Sequence, residues 1–397
     1  MEQLSYRLAR LPESETIAMS QRSRELRSQG KDIINLSVGE PDFPSPPYAK
    51  EAAIAAIEDD FTHYPPVPGI PELREAIVAK FKRDNNLEYK PSQIVVSTGG
   101  KQALSNAIYA LVNEGDEVII PSPYWVSYPA MAQLAGGKSV FVYAGIDQDF
   151  KMTPQQLEDA ITPKSKVLLL NSPCNPTGSV YSLEELKALA IVLERHPNVF
   201  VISDEIYEYI NYEVPHHSMA EISSLKERVI IVNGVSKGYA MTGWRVGYMA
   251  APEWIASACS RLQGQYTSGT STISQKAALA AINGTMDYTR SMVDAFKRRR
   301  ELVVKLANEI PGLKNNNPAG AFYLFPNVSA FFGKSFNGKK IEDALDLSFY
   351  LLEQAFVATV SGTAFGNKNC IRFSYATSDE LLVEAMKRIK EALAALK

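Results

Sequence analysis

A lysine and an arginine follow a short apolar run in the second half of the chain. Lys237 comes directly after Ser236 in the segment VIIVNGVSK, and Arg245 follows in GYAMTGWRVG. A lysine held in a pocket at the end of a strand has a lowered pKa, and its neutral amine is then a nucleophile toward an aldehyde. A solvated surface lysine is the alternative, but Gly238 and Trp244 would make a poor exposed face. The segment suggests a reactive lysine in a pocket.

A carboxylate stands in a comparable place after another apolar run, VFVIS. Asp204 ends that run and Tyr207 follows in SDEIYEY. An unpaired buried charge is costly, so Asp204 at a buried strand end needs a cation or hydrogen-bond donors. The other interpretation is that Asp204 caps a following helix.

Two further loops offer groups that can bind a ligand. Residues 171–178 (NSPCNPTG) follow the run KVLLL, and they form either a plain tight turn or a loop whose two asparagines, Asn171 and Asn175, donate hydrogen bonds to a ligand. Residues 98–102 (TGGKQ) link the run IVVS to a predicted helix. Backbone N–H groups at a glycine-rich helix start suit a phosphate, although any tight strand-to-helix turn would use glycines.

The central part of the chain predicts alternating strands and helices that would position these loops. Short apolar runs predict strands at 94–97, 117–120, 139–143, 166–170, 199–203 and 229–232. Helices are predicted between them, including one at 102–111 and two that begin with the capping boxes Thr153/Gln156 and Ser182/Glu185. This alternation indicates a mostly parallel sheet with helices on both faces, in which ligands bind at the carboxyl ends of the strands.

The two ends of the chain differ from the centre and predict a separate α+β domain. From about residue 288 the pattern indicates a long helix around 296–306, strands at 322–325 and 371–374, and a final amphipathic helix. The first ~45 residues, rich in proline near 41–47, are expected to join this domain.

Composition argues against several classes of protein. The 397 residues carry a net charge of −3 with both signs interspersed, which argues against a nucleic-acid or membrane-surface protein. No apolar run approaches the ~18 residues of a transmembrane helix, and the first residues lack the apolar core of a signal peptide. Cys174, Cys259 and Cys370 imply no disulfide framework. We therefore expect a cytoplasmic globular protein.

Two other clusters of polar residues are predicted to lie on the surface. The four histidines lack metal-ligand spacing, so no metal site is expected, and His216 and His217 are predicted to be exposed. The basic run from Lys297 to Arg300 is predicted to be the solvated face of a helix.

Taken together, the segments resemble the class I aminotransferases, which are pyridoxal-phosphate enzymes. The resemblance covers nearly the whole chain and is closest to bacterial aspartate aminotransferases that carry GGKQAL. It implies the PLP-dependent transferase fold type I, with a mostly parallel seven-stranded sheet in a three-layer α/β/α large domain and a smaller α+β domain. The large domain is expected at 48–287, and the small one at 1–47 and 288–397. The motifs are LSVGEPDFPSP, HYPPVPGIPELREAI, STGGKQAL, SPYWVSY, NSPCNPTG, SDEIYE, SKGYAMTGWRVGY, PAGAFY and IRFSYA.

The resemblance assigns roles around the cofactor ring. Lys237 is expected to form the Schiff base with pyridoxal phosphate and to carry a proton to and from the substrate. Asp204 is expected to pair with the pyridine nitrogen. Tyr207 and Asn175 are expected to hydrogen-bond the phenolic oxygen. Trp125 is expected to stack on the ring, with core packing as the alternative.

The resemblance also assigns the phosphate site and an assembly. Gly100, Lys101, Ser236 and Arg245 are expected to hold the phosphate, and Tyr64 to reach the phosphate of a neighbouring subunit in a homodimer with shared sites. Many relatives carry a hydroxyl residue three positions before the lysine, where this chain has Gly234.

Amino acids and 2-oxo acids are the substrates that the resemblance implies. Arg372 is expected to clamp the α-carboxylate as a bidentate fork, with a backbone contact from Gly39. Lys101, with Thr16 nearby, is expected to read the distal carboxylate; the alternative is that Lys101 serves only the phosphate. The expected reaction moves the amino group of L-aspartate to 2-oxoglutarate, giving oxaloacetate and L-glutamate. A same-subgroup enzyme that also acts on prephenate, or an aromatic or kynurenine aminotransferase, is the alternative.

Overall fold

The computed structural model describes residues 5–9, 11 and 15–397, without side-chain detail at residues 6, 7, 15–18 and 20. The strands are β1 (Ile34–Asn35), β2 (Ile94–Ser97), β3 (Glu117–Ser122), β4 (Lys138–Tyr143), β5 (Ser165–Asn171), β6 (Phe200–Asp204), β7 (Val229–Gly234), β8 (Gly247–Ala250), β9 (Tyr323–Leu324), β10 (Ser335–Phe336), β11 (Lys339–Lys340), β12 (Val357–Ala358), β13 (Val360–Ser361) and β14 (Ile371–Ser374). The α-helices are α1 (Tyr6–Ala9), α2 (Glu15–Ser28), α3 (Pro47–Glu58), α4 (Pro71–Asn85), α5 (Gly100–Leu111), α6 (Tyr128–Leu134), α7 (Pro154–Ala160), α8 (Leu183–Arg195), α9 (Glu253–Tyr266), α10 (Thr272–Asn283), α11 (Asp287–Asn308), α12 (Ala344–Tyr350) and α13 (Asp379–Ala394).

A seven-stranded sheet in the order β2-β8-β7-β6-β5-β3-β4 forms the centre of the molecule. All of its strands run parallel except β8, which pairs antiparallel with both β2 and β7. The predicted mostly parallel sheet is therefore confirmed. The pattern did not reveal β8, because GYMA begins with glycine and contains no β-branched residue.

Helices cover both faces of this sheet because its strands are apolar on both faces. In β7, Val229 and Ile231 pack into a core formed with α3, α4, α8 and α10, whereas Ile230 and Val232 pack into a second core with α5, α6 and α9. The two predicted capping boxes are confirmed: the side chains of Thr153 and Ser182 accept hydrogen bonds from the backbone at the starts of α7 and α8. The result is the expected three-layer arrangement.

A third core lies outside the central sheet. It contains residues of α11, α13 and the antiparallel sheet β13-β14-β9, and it takes in Ile34 and Leu36 from the N-terminal part of the chain. The strand β1 pairs with β12, which joins the two ends of the chain. This core also takes in Tyr207, Ile210 and Ala240 from the middle of the chain, and the domain limits 48–287, 1–47 and 288–397 remain a prediction. No helix within the described ranges is long and apolar enough to cross a membrane.

Candidate active site

The carboxyl ends of the parallel strands open into a cavity of about 400 Å³. All of the predicted site residues with described side chains, except Tyr64, line this cavity. They are Gly39, Gly100, Lys101, Trp125, Asn175, Asp204, Tyr207, Ser236, Lys237, Arg245 and Arg372. The fold therefore brings together residues that lie more than 300 positions apart in sequence.

Lys237 presents its amine to this cavity from the loop after β7. Its Nζ donates a hydrogen bond to the backbone oxygen of Gly39. Burial is the main reason why the pKa of Lys237 is lowered to about 8; the positive charges of Arg372 and Arg245 act in the same direction, and the charges of Glu40 and Asp204 oppose it. A substantial neutral fraction of this amine is therefore present near neutral pH, as a nucleophile requires.

Asp204 is a buried carboxylate at the end of β6, with an exposed fraction of 5%. Its Oδ2 accepts a hydrogen bond of 2.6 Å from the hydroxyl of Tyr128, and its Oδ1 accepts one of 3.3 Å from the backbone N–H of Ile206. Burial raises the pKa of Asp204 to about 6, although the hydrogen bond from Tyr128 acts in the opposite direction. Within the described part of the chain no lysine, arginine or histidine forms an ion pair with it. A cationic ligand group in the cavity would supply the missing partner.

The start of α5 and the loop after β7 form one end of the cavity. Gly99 has φ +82°, and a Cβ there would collide with the guanidinium of Arg245. A Cβ on Gly247 would collide with the backbone N of Gly100. The strand β8 can therefore lie this close to the start of α5 only with glycine at position 247. Arg245 donates a 2.7 Å hydrogen bond to the carbonyl of Thr242. Backbone N–H groups and a guanidinium thus converge here, which is an arrangement that binds phosphate.

The absence of a hydroxyl side chain at Gly234 has a structural reason. Gly234 pairs with Gly247 across β7 and β8. A Cβ on Gly234 would lie 2.9 Å from the Cα of Gly247 and 2.9 Å from the carbonyl oxygen of Val246. A larger residue would therefore push β7 and β8 apart, and this leaves Ser236 as the nearby hydroxyl.

Arg372 presents an ordered guanidinium from β14. Its Nη1 donates to Oδ1 of Asn175 at 2.9 Å, and its Nη2 donates to the backbone oxygen of Ser37 at 2.8 Å. Its Cζ lies 4.5 Å from the ring centre of Tyr323 and 4.9 Å from that of Phe365. Its buried Nε has no hydrogen-bond partner among the described residues. A planar cation fixed in this way, with donor capacity left over, suits a carboxylate.

The remaining groups surround the centre of the cavity. The hydroxyl of Tyr207 lies 2.8 Å from that of Tyr323. The backbone N–H of Asn175 donates to Oδ1 of Asn171, whose Nδ2 donates to the backbone oxygen of Asp204. The hydrogen bond from Asn171 to Asp204 therefore connects the carboxyl ends of β5 and β6. The ring of Trp125 meets Tyr128 edge-on at 5.4 Å.

Lys101 stands at the rim of the cavity, at the first turn of α5. Its side chain is exposed, and its Nζ lies 4.9 Å from the ring centre of Trp125. Partial desolvation lowers the pKa of Lys101, as does the charge of Arg245. Its ammonium lines the same cavity as the guanidinium groups of Arg245 and Arg372.

Comparison with known proteins agrees with this geometry. The family model described as aminotransferase class I and II matches residues 31–389. The chain belongs to this family. An aspartate/prephenate aminotransferase from Cereibacter sphaeroides is 49% identical over 99% of each chain. The crystal structure of an aspartate aminotransferase from Rhizobium meliloti matches with a TM-score of 0.97, at 43% identity over 100% of each chain. The structure of the Thermus thermophilus aspartate aminotransferase with maleate matches with a TM-score of 0.91, at 41% identity over 99% of this chain and 100% of that one.

The described residues place neither Tyr64 nor the side chain of Thr16 at the cavity. Tyr64 is 95% exposed in the single chain. Thr16 falls within α2, but its side chain lies outside the described residues. The role predicted for each of them stays a prediction.

Sequence reasoning missed several residues that hold the site in place. Tyr128, Ser37 and Tyr323 bond to predicted site residues, but their residue types alone assign them no role. Tyr128 and Tyr323 stand inside the quoted motifs SPYWVSY and PAGAFY, which is the signal that could have singled them out.

The prediction that His216 lies on the surface is wrong. Its side chain is 8% exposed, and its Nε2 lies 3.1 Å from Oε2 of the buried Glu205. Burial alone would lower the pKa of His216, but the hydrogen bond and charge of Glu205, with the charge of Glu208, raise it. Glu205, Glu208 and His216 are close enough to hold a metal ion, yet the buried Lys80 already pairs with Glu208. The loop folds inward because two buried carboxylates need cations.

The prediction of a solvated basic face is also wrong for half of the run. Arg299 and Arg300 are buried, whereas Arg298 is exposed. Arg299 binds both carboxylate oxygens of Asp42, at 2.7 and 2.9 Å, and Arg300 pairs with Glu213 at 2.6 Å. These acidic partners are remote in sequence, so the local pattern could not reveal them.

Proposed function

We propose that this aminotransferase uses pyridoxal phosphate to move the amino group of L-aspartate to 2-oxoglutarate, releasing oxaloacetate and L-glutamate. The observation that carries the proposal is the presence of two separate cations, Arg372 and Lys101, on the cavity that contains the amine of Lys237. Both the donor and the acceptor have two carboxylates, so each substrate can satisfy both cations. The names of the relatives from Cereibacter and Rhizobium support the same substrate class.

The residues present fit pyridoxal phosphate. The uncompensated carboxylate of Asp204 suits a protonated pyridine nitrogen, and the glycine-lined start of α5 with Ser236 and Arg245 suits the phosphate. Trp125 lines the same cavity and offers an aromatic face. The bound cofactor would supply an aldehyde that joins the amino group and a ring that takes up the electron pair released at the substrate Cα.

Each side chain of the cavity has a separate role in the proposed reaction. Arg372 binds the α-carboxylate through its fork, with Gly39 beside it, and so orients the substrate Cα toward Lys237. The neutral amine of Lys237 removes the proton from Cα, and its ammonium form returns that proton to the cofactor side. Asp204 would hold a proton on the ring nitrogen, while Tyr207 and Asn175 would donate hydrogen bonds to the phenolic oxygen. Lys101 binds the distal carboxylate.

The proposal extends to a homodimer. Tyr64 and Tyr266 are 95% and 69% exposed. Their segments adjoin, because a Cβ on Gly269 would lie 2.6 Å from the ring of Pro65. Exposed aromatic rings are typical of protein interfaces. In the dimer, Tyr64 would reach the phosphate of the partner's site. Sedimentation and cofactor retention test this: Tyr64→Phe should leave the dimer intact while releasing pyridoxal phosphate faster than the wild type does.

Prephenate is a second candidate acceptor. It also has two carboxylates, and the protein from Cereibacter sphaeroides is named an aspartate/prephenate aminotransferase. An aromatic or kynurenine aminotransferase is less well supported, because those side chains leave the ammonium of Lys101 without a carboxylate.

Rates with different substrates separate these possibilities. The proposal expects kcat/KM for aspartate with 2-oxoglutarate to exceed that for phenylalanine or kynurenine as donor. Amino transfer from aspartate to prephenate at a comparable rate would establish the second activity. A preference for phenylalanine or kynurenine over aspartate would refute the dicarboxylate assignment.

A further inference from the structure

Tyr323 is fully buried beside the guanidinium of Arg372. It is the first residue of β9 and pairs with Ser374 of β14, the strand that also carries Arg372. The ring of Tyr323 has an exposed fraction of 0% and lies 4.5 Å from Cζ of Arg372. An aromatic face at this distance attracts the cation and fixes the plane of its fork.

The hydroxyl of Tyr323 meets groups on the other side of the cavity. It lies 2.8 Å from the hydroxyl of Tyr207, which follows β6 in the central sheet. It also lies against the backbone of Gly39, where a Cβ would be only 3.2 Å away. The carbonyl of Gly39 accepts the hydrogen bond from Lys237. One side chain therefore contacts the arginine fork, Gly39 and Tyr207.

The single proton of each hydroxyl gives this contact a direction. A tyrosine hydroxyl donates one hydrogen bond, and it can accept others. If Tyr207 donated to Tyr323, Tyr207 could not donate into the cavity. If Tyr323 donates to Tyr207, the proton of Tyr207 stays available for the phenolic oxygen of a bound cofactor. The proposed function requires the second arrangement, so this step rests on that function.

We propose that Tyr323 is a positioning residue: its ring holds the fork of Arg372, and its hydroxyl donates to Tyr207 and so directs the proton of Tyr207 toward the phenolic oxygen of pyridoxal phosphate. The grip on the substrate carboxylate and the hydrogen bond to the cofactor then depend on one side chain.

Tyr323→Phe tests the hydroxyl, because it keeps the ring and removes only the oxygen. The readout is the pH titration of the visible absorption band of the holoenzyme. Without the hydrogen bond from Tyr323, the hydroxyl of Tyr207 is a weaker donor to the phenolic oxygen. The phenolic oxygen then competes better for the proton on the nitrogen of Lys237. The midpoint of the pH titration should therefore rise by about 0.5 to 1 pH unit. The charged groups that face Lys237, namely Glu40, Arg372, Arg245 and Asp204, are unchanged in this variant.

Tyr375→Phe is the matched control. Tyr375 is also buried, and its hydroxyl lies 3.2 Å from that of Tyr212, outside the residues that line the cavity. Its midpoint should equal that of the wild type. An unchanged midpoint in Tyr323→Phe, or an equal rise in Tyr375→Phe, would overturn the inference while the proposed function stood. A wild-type protein that forms no visible band with pyridoxal phosphate would instead overturn the proposed function.

Tyr323→Leu tests the ring. Loss of the aromatic face should raise KM for aspartate about tenfold above that of Tyr323→Phe, with a smaller change in kcat. Equal KM values in the two variants, both holding the cofactor, would overturn the role of the ring. The hydroxyl test with Tyr323→Phe does not depend on whether Tyr323→Leu folds.

Discussion

Replacing Asp204 by asparagine should stabilise the cofactor-free protein and lower the kcat of the protein that holds pyridoxal phosphate. The side chain is 5% exposed, and its pKa of about 6 lies above the 3.8 of an ordinary aspartate because burial disfavours the charged form. A carboxyl group with a raised pKa contributes full stability below pH ~4 and loses that contribution as the pH rises through 6. The difference between these two pKa values corresponds to about 3 kcal/mol in the free energy of unfolding, which the wild type lacks at pH 8. Asparagine has nearly the same shape and can still accept the hydrogen bond from Tyr128, but it loses the longer one of 3.3 Å from the backbone N–H of Ile206.

Urea unfolding at pH 8 measures this effect at matched protein concentration. Cofactor-free Asp204→Asn should unfold at a higher urea concentration than the wild type, and the difference should shrink as the pH falls toward 4. With pyridoxal phosphate the variant should lose at least about a hundredfold in kcat, because the charge that held the proton on the ring nitrogen is gone.

Asp42→Asn is a control of opposite sign. Asp42 binds Arg299 through both oxygens, so its removal should lower stability at pH 8. If Asp204→Asn is no more stable than the wild type at pH 8, the reasoning about an uncompensated buried carboxylate is refuted.

Three further predictions concern the cations of the cavity. Lys101→Ser should lower kcat/KM for aspartate about 10- to 150-fold, because it removes a hydrogen bond to a charged group. The same change should alter kcat/KM for phenylalanine little. Equal losses with both substrates would show that Lys101 does not recognise the substrate side chain. Arg372→Lys keeps the charge but loses the stacked fork, so KM for aspartate should rise at least about tenfold with an unaltered visible band, and an unchanged KM would exclude Arg372 as the clamp. Because the pKa of Lys237 is about 8, the rate at which cofactor-free protein takes up pyridoxal phosphate, followed by absorbance, should rise as the pH passes through 8. A rate of uptake that rises only near pH 10 would contradict the lowered pKa of Lys237.

Local patterns were sufficient for most of the central sheet. Fully buried parallel strands have continuous apolar runs, and capping boxes such as Ser182/Glu185 mark helix starts within four residues. The strand β8 escaped notice because its identity depends on pairing with β2 and β7, which its own four residues do not encode. The strand β9 is two residues long, shorter than the predicted 322–325.

The limits of site prediction have the same origin. Lys237, Asp204 and Arg372 stand in recognisable motifs, whereas the groups that orient them come from distant segments. Tyr128 bonds Asp204 across 76 positions, and Ser37 bonds Arg372 across 335. The prediction that His216 lies on the surface was wrong because His216 contacts the buried Glu205. The residues next to His216 in sequence do not indicate this contact.

The most direct test of the central claim is the visible absorbance of purified protein, supplied with pyridoxal phosphate, before and after addition of L-aspartate alone. We expect a visible band that aspartate converts to the absorption of the amine form of the cofactor, with release of one oxaloacetate per site. A band that ignores aspartate but responds to phenylalanine would contradict the dicarboxylate assignment. A protein that stays colourless with pyridoxal phosphate would contradict the role of Lys237, and the proposed function with it.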